Sequence, residues 1–362
     1  MENINIPIRK QKPKLITSII AIGNPIIDIT AEIEEDIIRR YNLNPGDINY
    51  ATDENLGFYS AIEQMLQVSK TPGGSAQNIL RAISWGLRSN QINNNLIKLS
   101  MLGSVGGDSY KNQIINSLNQ YNIKTDLLEE ISNMRTSRCA IGIFNGNKYF
   151  LSEILASKNL SKNFILQNWN KIISHDALIV EGYFLRENFL LCKNICEMFY
   201  ESGKYIILTL SEPFIIERFM NEIIEIASLA DMIVGNHKAA KKFVGEQTEL
   251  KIGDLLKKIH QKINNRKIKD RILLVTVGNN GVFCSKFDSR TGNEINFQTY
   301  PEKVNNKDIV DSNGAGDAFL GGFISQQMQN KTFENCCEFG NKAAAVVIKN
   351  IGCIFPNIII QN

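Results

Sequence analysis

The sequence predicts an α/β protein built on a parallel sheet covered by helices on both faces, and three observations predict it. From residue 177 onward, short apolar runs (Ala177–Gly182, Tyr205–Leu210, Met232–Gly235 and Ile272–Val277) alternate with helical stretches. That rhythm buries parallel strands between two helical layers. Near the start, Leu15–Ile22 is a short, Ile-rich run ended by Gly23-Asn24-Pro25, which suits one more buried strand. Lastly, two glycine-containing turns, at 73–75 and 314–316, each open an amphipathic helical pattern.

Composition bounds the rest. A chain of 362 residues can bury a large core, as one domain with an insertion or as two domains. Lys+Arg of 40 against Asp+Glu of 37 leaves +3, too balanced for a nucleic-acid binder. The seven cysteines show no metal spacing, and Cys192 and Cys196, four apart, suit helix packing. An odd cysteine count without an apolar leader suits a reducing compartment, so a cytoplasmic protein is expected. Leu15–Ile22, the first apolar run, is too short to span a membrane.

In chain order, residues 1–14 form a polar lead, and the first strand follows. Asp28 comes soon after that strand's carboxyl end, where open α/β sheets place their ligands. It fits a turn cap as well as an acceptor for paired hydroxyls. Residues 29–72 show no βα rhythm. Gly73-Gly74-Ser75 then opens a helix with Ala76, Ile79, Leu80, Ile83 and Leu87 on its apolar face. Ser75 and Asn78 share one side of its first turn, where Ser75 suits either a cap or a ligand contact. A strand at Ile97–Leu102, a turn at Gly103–Gly107 and a helix from Asp108 to Tyr121 are expected next. Cys139–Phe144 and Lys148–Ser152 flank Asn145-Gly146, a strong hairpin signal.

In the regular half, Tyr183 and Phe184 follow Gly182 at a strand's carboxyl end and suit either core packing or stacking on a flat ring. Lys251–Arg271 is a basic amphipathic helix, and Val282–Phe287 begins a second hairpin. A strand-like stretch from 308 leads into Gly314-Ala315-Gly316-Asp317, and Phe333–Asn350 is an Ala-containing helix. Glycines before a helix let backbone approach a ligand, and the unpartnered first amides favour an anion such as phosphate. A carboxylate at Asp317 would repel that anion unless it takes the proton of a hydroxyl attacking phosphorus. The alternative is an ordinary helix start with an acid at its dipole.

Asp311-Ser-Asn-Gly-Ala-Gly-Asp317-Ala-Phe319 resembles the C-terminal signature of the ribokinase-like carbohydrate and nucleoside kinases. Gly23–Asp28, Gly73–Asn78, Leu208–Phe214 and Gly352–Pro356 resemble segments of that family's nucleoside kinases in the right order, so the likeness covers roughly 18–357. It implies a ribokinase-like α/β fold: a large three-layer α/β/α domain (1–28, 73–130 and 156–362) and a small α+β lid domain (29–72 and 131–155). The implied reaction moves the γ-phosphoryl of ATP, with Mg²⁺, to the 5′-hydroxyl of adenosine, and a monomer is expected.

The same likeness implies roles for individual residues. Asp317 is the base, and Gly314, Ala315 and Gly316 offer amides to the phosphoryl oxygens. Asn24, Asp28, Gly74, Ser75 and Asn78 would hold the nucleoside, Asp28 through ribose hydroxyls. Phe184 (or Tyr183) would stack on adenine, and Phe214 would form a pocket wall. Lys148 stands where the family has an arginine reaching for the transferring phosphate, keeping the charge but losing the bidentate fork. Asn236, Thr276, Gly278, Asn313 and Asn341 would line the ATP side. The main departure is Ala239, where the family's Asn-x-x-Glu pattern places a glutamate that orders hydrated Mg²⁺. Glu246 lies two helical turns on, roughly 10 Å along the axis, too far to substitute. His237 is expected at the helix surface, and no side chain of this chain is expected to ligate the metal directly.

Overall fold

The computed structural model describes residues 15–46, 48–90, 97–245, 251–264 and 269–356. The polar lead 1–14 and Glu246 lie outside these residues. The larger sheet has ten strands. Its main path runs β15-β14-β13-β12-β11-β10-β1-β5-β6, and β7 pairs off it with β5. In chain order these are β1 (Ser18–Ile22), β5 (Lys98–Gly106), β6 (Ile123–Lys124), β7 (Leu128–Ile131), β10 (Ala177–Glu181), β11 (Tyr205–Thr209), β12 (Met232–Asn236), β13 (Arg271–Thr276), β14 (Val282–Phe287) and β15 (Glu294–Thr299). All pairings are parallel from β13 to β6, and only the β13-β14-β15 edge is antiparallel.

Alternation along β1 shows why both faces are covered. Ile19 and Ala21 join one buried cluster, whereas Ile20 and Ile22 join another. The first cluster takes Ile79 and Ile83 of the helix Ser75–Ser89 and Phe319 and Phe323 of the helix Ala315–Gln327. The second takes Ile195 and Phe199 of Leu185–Glu201 and Leu255 and Ile259 of Ile252–Asn264. Every one of these side chains is at most 2% exposed, and each Ile, Leu and Phe among them contributes about 1.5–3 kcal/mol relative to an exposed position. Gly321 and Gly322 serve close packing: a Cβ at Gly321 would strike the helix at Ala82, and one at Gly322 would strike Ala343.

A smaller five-stranded sheet runs β3-β9-β8-β2-β4. Its strands are β2 (Ile26–Glu32), β3 (Ile48–Tyr50), β4 (Val68–Gly73), β8 (Ser137–Phe144) and β9 (Asn147–Glu153). The expected hairpin is present, with Asn145 at φ +49° and Gly146 at φ +75° between β8 and β9. This sheet begins at Ile26 rather than at residue 29, because Ile26–Asp28 already pair with Thr71–Gly73 and Ser137–Cys139.

The helix expected over Lys251–Arg271 is described over Ile252–Asn264, and Arg271 opens β13 instead. Two further local expectations fail. Gly103–Gly106 is no turn; it continues β5 and pairs with β7. A Cβ at Gly106 would overlap the backbone of Thr136, so glycine there serves close packing instead. The stretch before Gly314 is not a strand: a short 3₁₀ turn, Asn306–Asp308, leads into irregular chain. Its Val310 and Asp311 amides donate to the Ile348 carbonyl at 2.8 and 3.1 Å instead of to a sheet. The Cys192 and Cys196 thiols are buried in helix packing as expected, and all seven cysteines are free. No helix among the described residues is long and apolar enough to cross a membrane.

Candidate active site

The two sheets share a cavity of about 400 Å³, reached by the carboxyl ends of β1, β10, β11, β12 and β13 and by strands of the smaller sheet. Asp317 lies in it, third in the helix that follows Gly314. Gly314 adopts φ +76°, a left-handed conformation, and a Cβ there would crowd the Cys353 side chain at 2.8 Å. Ser75 Oγ donates to Asp317 Oδ1, and Asn78 Nδ2 donates to Oδ2 at 2.9 Å. Burial pushes the Asp317 carboxyl up to about 6, against the pull of those two hydrogen bonds. A carboxylate so placed is ionised at neutral pH yet basic enough to take a proton.

Gly314, Gly316 and Asn313 also line the cavity, and a Cβ at Gly316 would meet only open space. The Ala315 amide differs. It donates to the Ser312 carbonyl at 3.3 Å and so stabilises the loop rather than standing open to an anion.

Asn24, Asp28, Gly74, Ser75 and Asn78 all reach the cavity. Asp28 is pushed up to about 7 by burial, opposed chiefly by the Arg81 guanidinium. Gly73 is required there, since a Cβ would overlap the Asp28 carboxylate. Gly74 adopts φ +99°, and its Cβ would strike the Asn24 carbonyl. Glu181, which the sequence reading passed over, is 2% exposed at the end of β10. It accepts the Ala76 amide at 3.0 Å and the Asn24 amide and side chain at 3.3 and 3.2 Å. Burial pushes it up to about 7. A lone glutamate ending the apolar run Ala-Leu-Ile-Val-Glu was a readable signal for it. Asn24 Oδ1 is buried without a partner among the described residues, an acceptor left for a bound hydroxyl.

The aromatic wall corrects one residue. Phe184 is fully buried in the core and does not line the cavity; Tyr183 does. The 3₁₀ turn Gly182–Phe184 explains this, because neighbouring residues in so tight a turn face different ways. Phe214 backs the wall from behind, with its ring 6.2 Å from those of both Tyr183 and Tyr50. Tyr50, from the smaller sheet, lines the cavity and carries the Arg186 guanidinium 3.4 Å from its ring centroid.

Asn236 and Thr276 line the cavity from adjacent strands. Gly278 and Asn341 do not reach it. Gly278 starts the 3₁₀ turn beyond β13, and Asn341 Nδ2 donates to Thr299 Oγ1 at 3.2 Å. Lys148 is absent from the lining as well, because its ammonium pairs with Asp311. Asp311 is 5% exposed and also accepts the amides of Asn313 at 2.6 Å and Gly352 at 3.0 Å. The pair ties β9 of the smaller sheet to the loop entering the Asp317 helix.

Asn236 Oδ1 caps the helix His237–Val244 through the Ala239 amide at 2.8 Å. Ala239 is fully buried in the apolar cluster on that face. Glutamate at 239 therefore has no open space to enter. We expect Ala239→Glu to cost about 2–4 kcal/mol of stability, by overpacking and by burying a polar group, read as a lowered denaturation midpoint. An unchanged midpoint would show that the side chain escapes into the cavity.

An open parallel sheet whose strand ends meet a glycine-bounded helix start, with a part-buried carboxylate beside it, suits a small-molecule phosphotransferase. The model of the pfkB family carbohydrate kinase matches residues 45–360, and the chain belongs to that family. It is 26% identical to "Adenosine kinase 2" of Arabidopsis thaliana over 343 residues, 93% of this chain and 95% of that protein. It is 25% identical to the adenosine kinase of Saccharomyces cerevisiae over 346 residues, 94% and 97% of the two chains. Among solved structures, Anopheles gambiae adenosine kinase in complex with P1,P4-di(adenosine-5) tetraphosphate superposes with a TM-score of 0.79 at 25% identity, covering 92% of this chain and 96% of that one. Schistosoma mansoni adenosine kinase with 2-fluoroadenosine shares the fold, with a TM-score of 0.80 at 22% identity and coverage of 94% and 98%.

Proposed function

We propose that this protein is an adenosine kinase, transferring the γ-phosphoryl of ATP to the 5′-hydroxyl of adenosine to give AMP and ADP. The observation that carries the reading is Asp317: a part-buried carboxylate, held by Ser75 and Asn78, at a glycine-bounded helix start inside a cavity shared by both sheets. The whole-chain likeness to adenosine kinases supports the acceptor.

Asp317 takes the proton of the 5′-hydroxyl as its oxygen attacks phosphorus, while the Gly314 and Gly316 amides receive charge on the phosphoryl oxygens. Asp28, Asn24 and the Gly74–Asn78 turn hold the ribose, and Tyr183 offers its ring to adenine. ATP lies along Asn236, Thr276 and Asn313, with Gly278 and Asn341 supporting from outside the cavity. The donors on that side (Glu212, Asn236 and Thr276) are all hard oxygen groups, which fits Mg²⁺ retaining most of its waters. Bound there with the nucleotide, Mg²⁺ would neutralise phosphate charge.

The smaller sheet, from segments 29–72 and 131–155 with Ile26–Asp28, acts as a lid that excludes water, and Lys148–Asp311 is its clasp. We propose further, as the family likeness implies, that it acts on small molecules as a cytoplasmic monomer, without nucleic acid or membrane.

The test is thermal. Adenosine should raise the unfolding midpoint more than ribose or fructose at equal concentration, because a ligand bound only to the native state stabilises it by RT ln(1 + [L]/Kd). Tyr183→Ala should shrink the adenosine shift, whereas a conservative Phe184→Leu should leave it in place. Equal protection by a plain sugar would move the acceptor to the sugar class.

A further inference from the structure

Glu212 lies just past the carboxyl end of β11, where Ser211, at φ +58°, turns the chain and both residues line the cavity. The next two strands place Asn236 and Thr276 beside it, so three oxygen-bearing side chains stand in a row across adjacent strand ends. Asn236 Nδ2 donates to Glu212 Oε1 at 3.4 Å, a long bond from a neutral group. Among the described residues no lysine or arginine pairs with Glu212, although Lys238 is near enough to draw its proton affinity down. Burial outweighs that pull and raises it. A partly buried carboxylate facing a phosphate-binding space with no cation in direct contact is unfavourable unless one arrives with the phosphate.

The neighbouring alternative is closed. Position 239 holds a fully buried alanine within the apolar cluster, so the helix after Asn236 sends no carboxylate into the cavity from there. We propose that Glu212 has taken over the task of ordering the water shell of the Mg²⁺ that accompanies ATP, reaching it from the β11 turn instead of from the helix after β12. This rests on the kinase reading of the cavity and assigns Glu212 a positioning role. Asn236 connects the two places, since one side-chain atom caps the helix at Ala239 and another reaches Glu212.

The test reads metal binding without turnover. The full chain is titrated with Mg²⁺ in the presence of β,γ-imido-ATP by calorimetry, and with Mn²⁺ by electron paramagnetic resonance. Glu212→Gln keeps the size and the contact with Asn236 while removing the charge. It should raise the metal concentration for half-saturation about 10–100-fold, with the unfolding midpoint unchanged. Glu212→Asp should fall between the two proteins. Glu217→Gln, at an exposed glutamate paired with Lys242, should leave the curve in place. Coincident curves for wild type and Glu212→Gln would overturn the proposal, as would analogue binding that is independent of metal in the wild type. Failure of the wild type to phosphorylate adenosine would overturn the acceptor assignment instead, because the nucleotide titration does not involve the acceptor.

Discussion

Asp317→Asn is expected to lower kcat by roughly 10²–10⁴ while adenosine affinity changes little. The substitution keeps the size and the hydrogen-bonding geometry. Ser75 can reverse its hydroxyl to accept, and Asn78 Nδ2 still finds the amide oxygen. What disappears is the group proposed to take the proton as the 5′-oxygen attacks. The pH profile distinguishes this role from a structural one. With its carboxyl pushed up to about 6, the wild type should lose kcat/KM as pH falls below about 6, because protonated Asp317 accepts nothing. The Asn variant should lack that limb. Single-turnover rates across pH 5–8 would decide it, and near-wild-type turnover by the variant would remove Asp317 from the chemistry.

Lys148→Met is expected to destabilise the protein by about 3–5 kcal/mol, since it strips the ammonium from a buried carboxylate that keeps only two amide donors. At an unfolding entropy proportional to chain length, that is roughly 4–7 °C in the midpoint. The pair also ties β9 to the Asp311 loop, so the adenosine KM should rise as closure weakens. Replacing both partners, Lys148→Met with Asp311→Asn, should recover most of the stability but not the KM, because no unpaired charge remains while the clasp is still gone. Calorimetry on the three proteins checks this. If the single variant melted with the wild type, the pair would contribute nothing to the fold.

The amino-acid sequence by itself determined the layered α/β scheme and the glycine-bounded helix start that carries Asp317. Apolar run length, βα rhythm and glycine placement are local properties, and each survives without knowledge of partners. β14, read as Val282–Phe287, and the hairpin at Asn145-Gly146 followed from such signals alone. So did the helix after Asp108, whose side chain caps it through Lys111.

Tertiary structure decided what depended on facing. A 3₁₀ turn selects Tyr183 over Phe184 for the cavity, and nothing in Gly-Tyr-Phe foretells which ring points inward. The same holds for Gly103–Gly106, whose glycines answer to packing across strands, and for Lys148, whose charge is engaged by a residue 163 positions away. Glu181 and Glu212 enter for the same reason. A single carboxylate at a strand end carries no meaning until the sheet brings neighbouring strand ends, and their donors or lack of cations, to within a few ångströms of it.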